Sequence, residues 1–268
     1  MAIQNVFEQP DFVFAQKVED VGGGLRLFTF SDGFRCYSHS SAEETMLIYN
    51  EIFVKQEYLG APLSLDDCRY VFDVGANIGL FTIFAKMRND TLIVHAFEPI
   101  KATYDVLVKN IELHGLADVH PHNYALGRQD GTERTMTFYP NAAGNATAHP
   151  ESKVALKRTL TEILGHEQAI YLFQGAQVHE VQARTLSAVI DQEGVPAVDL
   201  LKIDTEGDEL AVLQGISEAH NLIVRQIVAE VHSDVLLAEI QPLLASRGFH
   251  VVSDAGIALG NNIYAVRK

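Results

Sequence analysis

The segment LLKIDTEGDELAVLQG, Leu200 to Gly215, sets four carboxylates, Asp204, Glu206, Asp208 and Glu209, around one glycine where an apolar run gives way to a helical pattern. Further on, IVAEVHS places Glu230 two residues before His232. Acids in the first turn of a helix stabilise it by roughly 0.3–1 kcal/mol each, which accounts for Asp208 and Glu209. Asp204 and Glu206 sit one step earlier, at the carboxyl end of a strand, where open α/β sheets bind their ligands. Side chains alternate along a strand, so Asp204 points with Glu206, and Glu230 with His232. Neighbouring strands lie about 4.8 Å apart, close enough for all four groups to converge on one crevice. A histidine of ordinary pKa, about 6.5, suits removal of a hydroxyl proton at neutral pH. His232 is therefore the candidate general base, and Glu230 or Asp204 the group that orients it or the substrate. Asp204, Glu230 and His232 also offer the oxygen and imidazole donors that Mg²⁺ or Mn²⁺ accepts. That reading is not favoured, because nothing in the spacing fixes an octahedral geometry.

A second constellation lies upstream. DVGANIG puts Asp73 at the end of an apolar strand, Gly75 in the turn and Gly79 in the first turn of the next helix. Glycine tolerates positive φ and close approach of a ligand, and the helix N-terminus adds free N–H groups and a positive dipole end. Glu98 ends the following strand, placed to accept the two hydroxyls of a ribose. This is the layout of a nucleoside-containing cofactor site. The turn lacks the G-x-G-x-x-G cluster that a dinucleotide pyrophosphate needs, with Ala76 and Asn77 standing in its middle. A carboxylate beside the turn suits a cationic ligand better than a diphosphate. S-adenosylmethionine carries an ammonium and a sulfonium and no phosphate.

These groups require a sheet to hold them. From Arg69 the sequence alternates apolar runs with helical patterns: RYVFDVGA, NIGLFTIFAKMR, LIVHAFEP, TYDVLVKNIELHG and VHPHNYALG, then VDLLKIDTEG, DELAVLQGISEAH, VRQIVAEVHS and DVLLAEIQPLLASRG. Alternating βα units predict a parallel sheet with helices on both faces. FHVVSD and NNIYAVRK, joined by AGIALG, predict an antiparallel hairpin at one edge. The fold class is α/β, with a small extension over residues 1–66 and a main domain over 67–268. In the extension, LRLFTF-SDG-FRCYSH predicts two strands around a turn, and SAEETMLIYNEIFVKQEYLG a helix capped by Ser41 and Glu44 and stopped at Gly60. Residues 128–194 break the alternation and read as a substrate or lid insertion. It holds a hairpin-like GTERTMTFYPN, a helix KVALKRTLTEILG and a strand-like IYLFQGAQVHEVQART. The basic residues of that helix, Lys153, Lys157 and Arg158, read as a solvated face, the other reading being a lid that touches an anionic substrate. Lys202, on a buried strand, is expected to pair with an acid. His120 and His122 flank Pro121 and read as surface residues. Tyr58 carries only a weak signal for a side chain closing over the cofactor.

The composition narrows the partners. Of 268 residues 47% are hydrophobic, enough for a large core, and the net charge is −15 with the basic residues scattered. Nucleic acid and anionic membrane surfaces are bound through clustered Lys and Arg, so neither is expected as a partner. The two cysteines, Cys36 and Cys68, stand in no metal or disulfide spacing. The first sixteen residues lack the basic-then-apolar pattern of a signal peptide, and no apolar run approaches the roughly 18 residues of a membrane span. A cytoplasmic protein acting on a small molecule is expected.

FDVGANIGLFTIFAK, AFEPIKATYDVLVKNIELHG, NYALG, LLKIDTEGDELAVLQG and IVAEVHS, in that order from about Val71 to His232, resemble the successive motifs of the FkbM-type S-adenosylmethionine-dependent methyltransferases. The resemblance implies a seven-stranded Rossmann-like methyltransferase sheet with cofactor contacts at Asp73, Gly75, Ala76, Asn77, Gly79 and Glu98. It also places Asn123 and Ala125 near the adenine. The implied activity is O-methylation of a hydroxyl on a sugar or secondary metabolite, assisted by a histidine or a metal. The sequence departs from the family at Ser187, where an Asp is common, and matches loosely over 128–194, both on the substrate side. Two other readings remain: a nucleotide-dependent oxidoreductase on a related sheet, against which the non-G-x-G-x-x-G turn counts, and a binding module without chemistry, against which Asp204, Glu206 and His232 count.

Overall fold

The structure, a computed structural model, describes residue 7 and residues 9–255 and 261–268. The connection over 256–260, most of the AGIALG loop, and the N-terminal residues 1–6 and 8 lie outside the described residues.

The extension forms an antiparallel sheet of β1 (Lys17–Gly22), β2 (Leu25–Thr29) and β3 (Arg35–Ser38). The sequence pattern shows only two of these strands, because KVEDVG is polar and largely exposed and carries no alternation. Helix α1 (Ala42–Tyr49) begins where Ser41 Oγ accepts the Glu44 N–H at 3.1 Å. The Glu44 carboxylate does not complete the capping box; it accepts from Gly144 N–H at 3.2 Å and the Asn145 amide at 3.3 Å, across the cavity described below. A wider helical turn continues to Val54, so the chain leaves the helix before Gly60.

The main domain alternates as expected: β4 (Tyr70–Val74), α2 (Leu80–Arg88), β5 (Ile93–Phe97), α3 (Lys101–Leu113), β6 (Val119–His122). The insertion follows with β7 (Ala125–Leu126), β8 (Thr132–Phe138), α4 (Lys153–Leu164), α5 (His166–Phe173), β9 (Gln177–Arg184) and α6 (Leu186–Glu193). Then come β10 (Val198–Ile203), α7 (Glu209–Gln214), α8 (Glu218–Asn221), β11 (Val224–Val231), α9 (Asp234–Ser246), β12 (Phe249–Ala255) and β13 (Asn261–Arg267).

The seven-stranded sheet runs β12-β13-β11-β10-β4-β5-β6, parallel except for β13. The final antiparallel hairpin lies at one edge as expected, with β12 outermost and β13 between it and β11. In the insertion, β8 makes no local hairpin. It pairs antiparallel with β9 in a separate sheet of order β7-β9-β8. IYLF belongs to α5, with Leu172 and Phe173 buried and Ile170 and Tyr171 exposed, and the strand starts only at Gln177.

Alternation divides the core between the two faces. Val71, Leu200, Val228 and Tyr264 face α2 and the extension, while Phe72, Leu201, Ile227 and Ile263 face the other helices. Phe28, Phe30 and Tyr49 of the extension pack in one cluster with Ile83, Leu200 and Val228 of the main domain. The same alternation carries Asp73, Lys202, Asp204 and Glu230 onto the extension-facing side at the carboxyl ends of the strands.

Candidate active site

Asp73 and Lys202 are register partners on the neighbouring strands β4 and β10. Both are buried, with Lys202 Nζ 3.2 Å from Asp73 Oδ1 and 3.7 Å from Asp204 Oδ2. Lys202 also donates to the carbonyl of Gly75 at 2.8 Å, and Thr82 Oγ1 donates to Asp73 Oδ2 at 2.7 Å. Burial pulls the Lys202 ammonium down, but Asp73 and Asp204 outweigh it and leave its pKa above the ordinary value. The expectation that Lys202 pairs with an acid therefore holds. Asp73, however, lies beneath the glycine turn in this ion pair and not on the cavity wall.

Gly75 has φ 78° and a Cβ there would stand 1.7 Å from the carbonyl oxygen of Asp204. The turn after β4 is thus pressed onto the end of β10, which joins the cofactor side of the crevice to the acidic side. Gly75, Ala76, Asn77 and Ile78 line a cavity of about 700 Å³. Gly79 caps α2 and packs against Leu107 of α3. Glu98 lines the same cavity, and its carboxylate accepts the N–H of Asn77 at 3.1 Å and of Ile100 at 2.8 Å. Burial pushes the Glu98 carboxyl up to about 7, against the pull of those backbone N–H groups and Lys202. Each carboxylate oxygen has two lone pairs, so a further donor from a ligand hydroxyl can still be accepted. Ala125 is on the cavity wall, whereas the Asn123 amide is spent on the carbonyls of Glu98 and Pro99 at 2.9 and 3.0 Å.

The acids converge with His232 as the strand order requires. His232 Nε2 is 3.1 Å from Glu206 Oε2, 3.9 Å from Glu230 Oε1 and 4.0 Å from Asp204 Oδ1. Its Nδ1 meets Glu209 Oε1 at 3.0 Å. Glu209 is fully buried and accepts the Gly207 N–H at 2.8 Å as well. Glu209, and not Glu230 or Asp204, is the carboxylate that contacts His232 Nδ1. Nor does Asp208 simply start the helix. It receives a two-pronged contact from Arg134 at 2.6 and 2.7 Å and His149 Nε2 at 3.1 Å. Asp208 stands at the N-cap and Glu209 in the first turn of α7, as the helix-start reading expects, but the Asp208 side chain makes no capping hydrogen bond and both carboxylates have partners in the site. The cause is position: the chain turns through Glu206 at φ 56° and Gly207 at φ 117°, which swings the next two side chains back toward the site.

Tyr58, buried beneath this cluster, approaches Glu230 Oε2 at 2.8 Å and Asp204 Oδ2 at 3.0 Å. One phenol has one proton, so two such contacts need a second proton on a carboxyl. Burial and then Asp204 push Glu230 up to about 7, against the pull of His232 and Tyr58, which makes Glu230 its holder near neutrality. Half-buried Glu51 faces the same group, and desolvation, Glu230, Glu57 and Asp204 raise its carboxyl well above the usual range. For His232, burial lowers the pKa, but Glu206, Glu209 and Glu230 outweigh it and set it well above the ordinary histidine value. That direction departs from the ordinary value assumed from the sequence, and the ring lies between Glu206 and Glu209.

Among the described residues, Asp204, Glu230 and His232 present ligand-type atoms within 4.8 Å of one another. Both ring nitrogens of His232 are directed at carboxylates, Nε2 at Glu206 and Nδ1 at Glu209, so a metal would have to displace one of these contacts. Lys153 is also misread by the sequence pattern. Its ammonium is buried against Glu206, while Lys157 lies over the rings of Phe173 and Tyr139 at 4.7 and 5.5 Å. Lys153 and Lys157 therefore turn inward, while Arg158 stays exposed as expected. His122 is likewise no surface residue: it hydrogen-bonds His95 at 3.1 Å and stacks on Phe97, and burial lowers both imidazoles, His95 to about 3 and His122 to about 4.

Residues 73–251 match the methyltransferase FkbM domain. The chain belongs to the FkbM methyltransferase family. It is similar to the 31-O-demethyl-FK506 methyltransferase FkbM of Streptomyces tacrolimicus, 37% identical over 81% of this chain and 86% of that one. It is also similar to methyltransferase sdnD of Sordaria araneosa, at 35% over 81% and 87%, and to methyltransferase 1 of Beauveria bassiana, at 33% over 82% and 88%. The FkbM chain described here is an S-adenosylmethionine-dependent methyltransferase on a Rossmann-like sheet. The oxidoreductase reading of the glycine turn falls with that assignment. The fit is visible in this FkbM site: a turn without a glycine cluster for a pyrophosphate, a buried carboxylate at Glu98 with lone pairs to spare, and the Asn77 side-chain oxygen buried without a partner. Tyr58 and Glu51 lie outside the matched segment, which is why the FkbM motifs gave no signal for them. Among the described residues no helix is long and apolar enough to cross a membrane.

Proposed function

We propose that the protein methylates a hydroxyl group of a small molecule with an apolar body, with His232 taking the hydroxyl proton. The observation that carries this reading is the His232–Glu209 pair, with His232 lining the same cavity as the glycine turn and Glu98. S-adenosylmethionine supplies an electrophilic methyl group on a sulfonium. Gly75 to Ile78, Glu98 and Ala125 are the residues that would hold it, and the methyl-bearing end would face the acidic cluster.

The chain's own work is positioning and proton removal. Glu209 holds His232 through Nδ1, which leaves Nε2 as the atom that accepts the proton once Glu206 releases it. Tyr58 fixes Asp204 and Glu230 beside that atom, available to accept a hydrogen bond from the incoming hydroxyl or to orient it. The acceptor's body is addressed by α4, whose residues Leu156, Leu160, Ile163 and Leu164 follow helical spacing along the cavity wall, opposite Leu47 and Ile48 of α1. Such a wall favours an apolar alcohol over a free sugar. The 31-O-demethyl-FK506 methyltransferase, by its name an O-methyltransferase, supports oxygen as the acceptor atom.

The test is a transfer assay with labelled S-adenosylmethionine against apolar alcohols, sugars and amines, with the product's methylated atom identified. Methylated apolar alcohols, lost in His232→Ala with cofactor affinity kept, are the expected result. Methylation at nitrogen, or a His232→Ala enzyme with most of its activity, overturns the corresponding part of the reading. No transfer to any class, with cofactor bound, favours a binding module.

A further inference from the structure

Glu206 Oε2 is shared. On one side it meets His232 Nε2 at 3.1 Å; on the other it meets the ammonium of Lys153, the first residue of α4. The Lys153 side chain is 4% exposed, so this ammonium is removed from water and has Glu206 as its counter-charge. The chain leading to it is fastened to the same turn: Thr147 Oγ1 donates to the carbonyl of Glu206 at 2.7 Å, and His149 Nε2 contacts Asp208 at 3.1 Å. The helix that walls the acceptor end of the cavity is thereby connected, through one carboxylate oxygen, to the base.

We propose that Lys153 is a positioning residue for proton removal: seated in the site, it draws the charge of Glu206 to itself and frees His232 Nε2 to accept the acceptor's proton. This rests on the reading of His232 as the base. The ring is faced by Glu206 from the turn after β10, Glu209 from α7, Glu230 from β11 and Asp204 from the end of β10. The nearby cations are Lys153 and, through Asp204, Lys202. Three of these carboxylates have another donor: Tyr58 for Glu230 and Asp204, and the Gly207 N–H for Glu209. Glu206 has Lys153. Removing that cation gives Glu206 to the imidazolium alone and holds the proton on the ring. A full charge so close moves a neighbour's pKa by about 1–3 units.

The experiment needs no acceptor. The His232 imidazole is titrated by NMR in ring-labelled protein saturated with S-adenosylhomocysteine, its signal assigned by its loss in His232→Ala. In Lys153→Met the His232 pKa is expected to rise by roughly one unit or more, with Lys153→Arg restoring the wild-type value. Glu206→Gln should lower it by a similar amount, and adding Lys153→Met to Glu206→Gln should then change nothing. The last pair keeps the test sharp if Lys153→Met alone fails to fold. An unshifted His232 in Lys153→Met, or a shift that persists in the Glu206→Gln background, overturns the proposal and leaves the base reading standing. A His232→Ala enzyme that still transfers methyl groups overturns the base reading, and this proposal with it.

Discussion

Glu209 and His232 meet at 3.0 Å, Oε1 against Nδ1, although they come from different elements and Glu209 has no exposed surface. The same carboxylate oxygen takes the N–H of Gly207, so the turn after β10 and the histidine after β11 share one anchor. Replacing Glu209 by Gln removes the charge that orients and stabilises the protonated ring. The expected outcome is a fall in kcat of about 10²–10⁴-fold, with S-adenosylmethionine affinity changed less than severalfold. Calorimetry alongside the transfer assay separates the two, and a large loss of cofactor affinity would place Glu209 in the wrong role.

Tyr58→Phe should act on the same cluster from below. It removes the hydroxyl between Asp204 and Glu230 and leaves two half-buried acids without their shared partner. An unsatisfied buried group costs about 1–3 kcal/mol, so the variant should melt several degrees lower and lose at least tenfold in kcat. Melting by calorimetry and turnover under saturating cofactor check the two halves.

Stability should fall as pH rises. Glu44, Glu98 and Glu230 have folded-state pKa values pushed up to about 7 from 4.5, burial being the first cause in each. The folded protein therefore binds more protons than the unfolded chain between those values, and stability drops across that window. His232, raised well above 6.5, acts in the same direction at higher pH, where the stability it contributes as an imidazolium is lost as the ring deprotonates. The cofactor-free protein should melt higher at pH 5.5 than at pH 8.5, by several degrees. The slope should shrink in Glu98→Gln, whose S-adenosylmethionine affinity should also weaken.

Lys202→Met should be among the most damaging single changes. It leaves Asp73 buried and ionised without its partner, and breaking a buried pair from one side costs about 3–5 kcal/mol. Adding Asp73→Asn should recover part of that loss. Urea unfolding of the single and double variants measures it.

Prolonged EDTA treatment should leave methyl transfer intact, because both ring nitrogens of His232 are engaged with carboxylates. Loss on chelation, with restoration by Mg²⁺ or Mn²⁺, would mean that Asp204, Glu230 and His232 rearrange around an ion.

Much of this was legible in the residues. The alternation of apolar runs and amphipathic stretches announces the parallel sheet, and its period of two places Asp204, Glu230 and His232 on one side. What the sequence hid depends on backbone turns and long-range pairing. Glu209 looks like any first-turn acid until Glu206 and Gly207 take positive φ and aim it inward. Lys153 looks like part of a solvated face because its partner is 53 residues away. The β8–β9 pairing spans two helices, and no local pattern records it. Tyr58 belongs to a stretch with no motif, and only the folded core brings it under β10 and β11.

The insertion of β13 beside β11 reaches further than sheet order. Its Tyr264 donates to the carbonyl of Glu57 at 2.7 Å, and the ring fills the space where a Cβ on Gly60 would stand, 2.6 Å from its nearest atom. Tyr58 is carried between those two points. The hydroxyl that bridges Asp204 and Glu230 is thus braced from behind like a keystone, and its wedge comes from β13, some two hundred residues along the polypeptide. A single methyl group at position 60 would push against that wedge, so a change with no chemistry of its own could mistune the proton network.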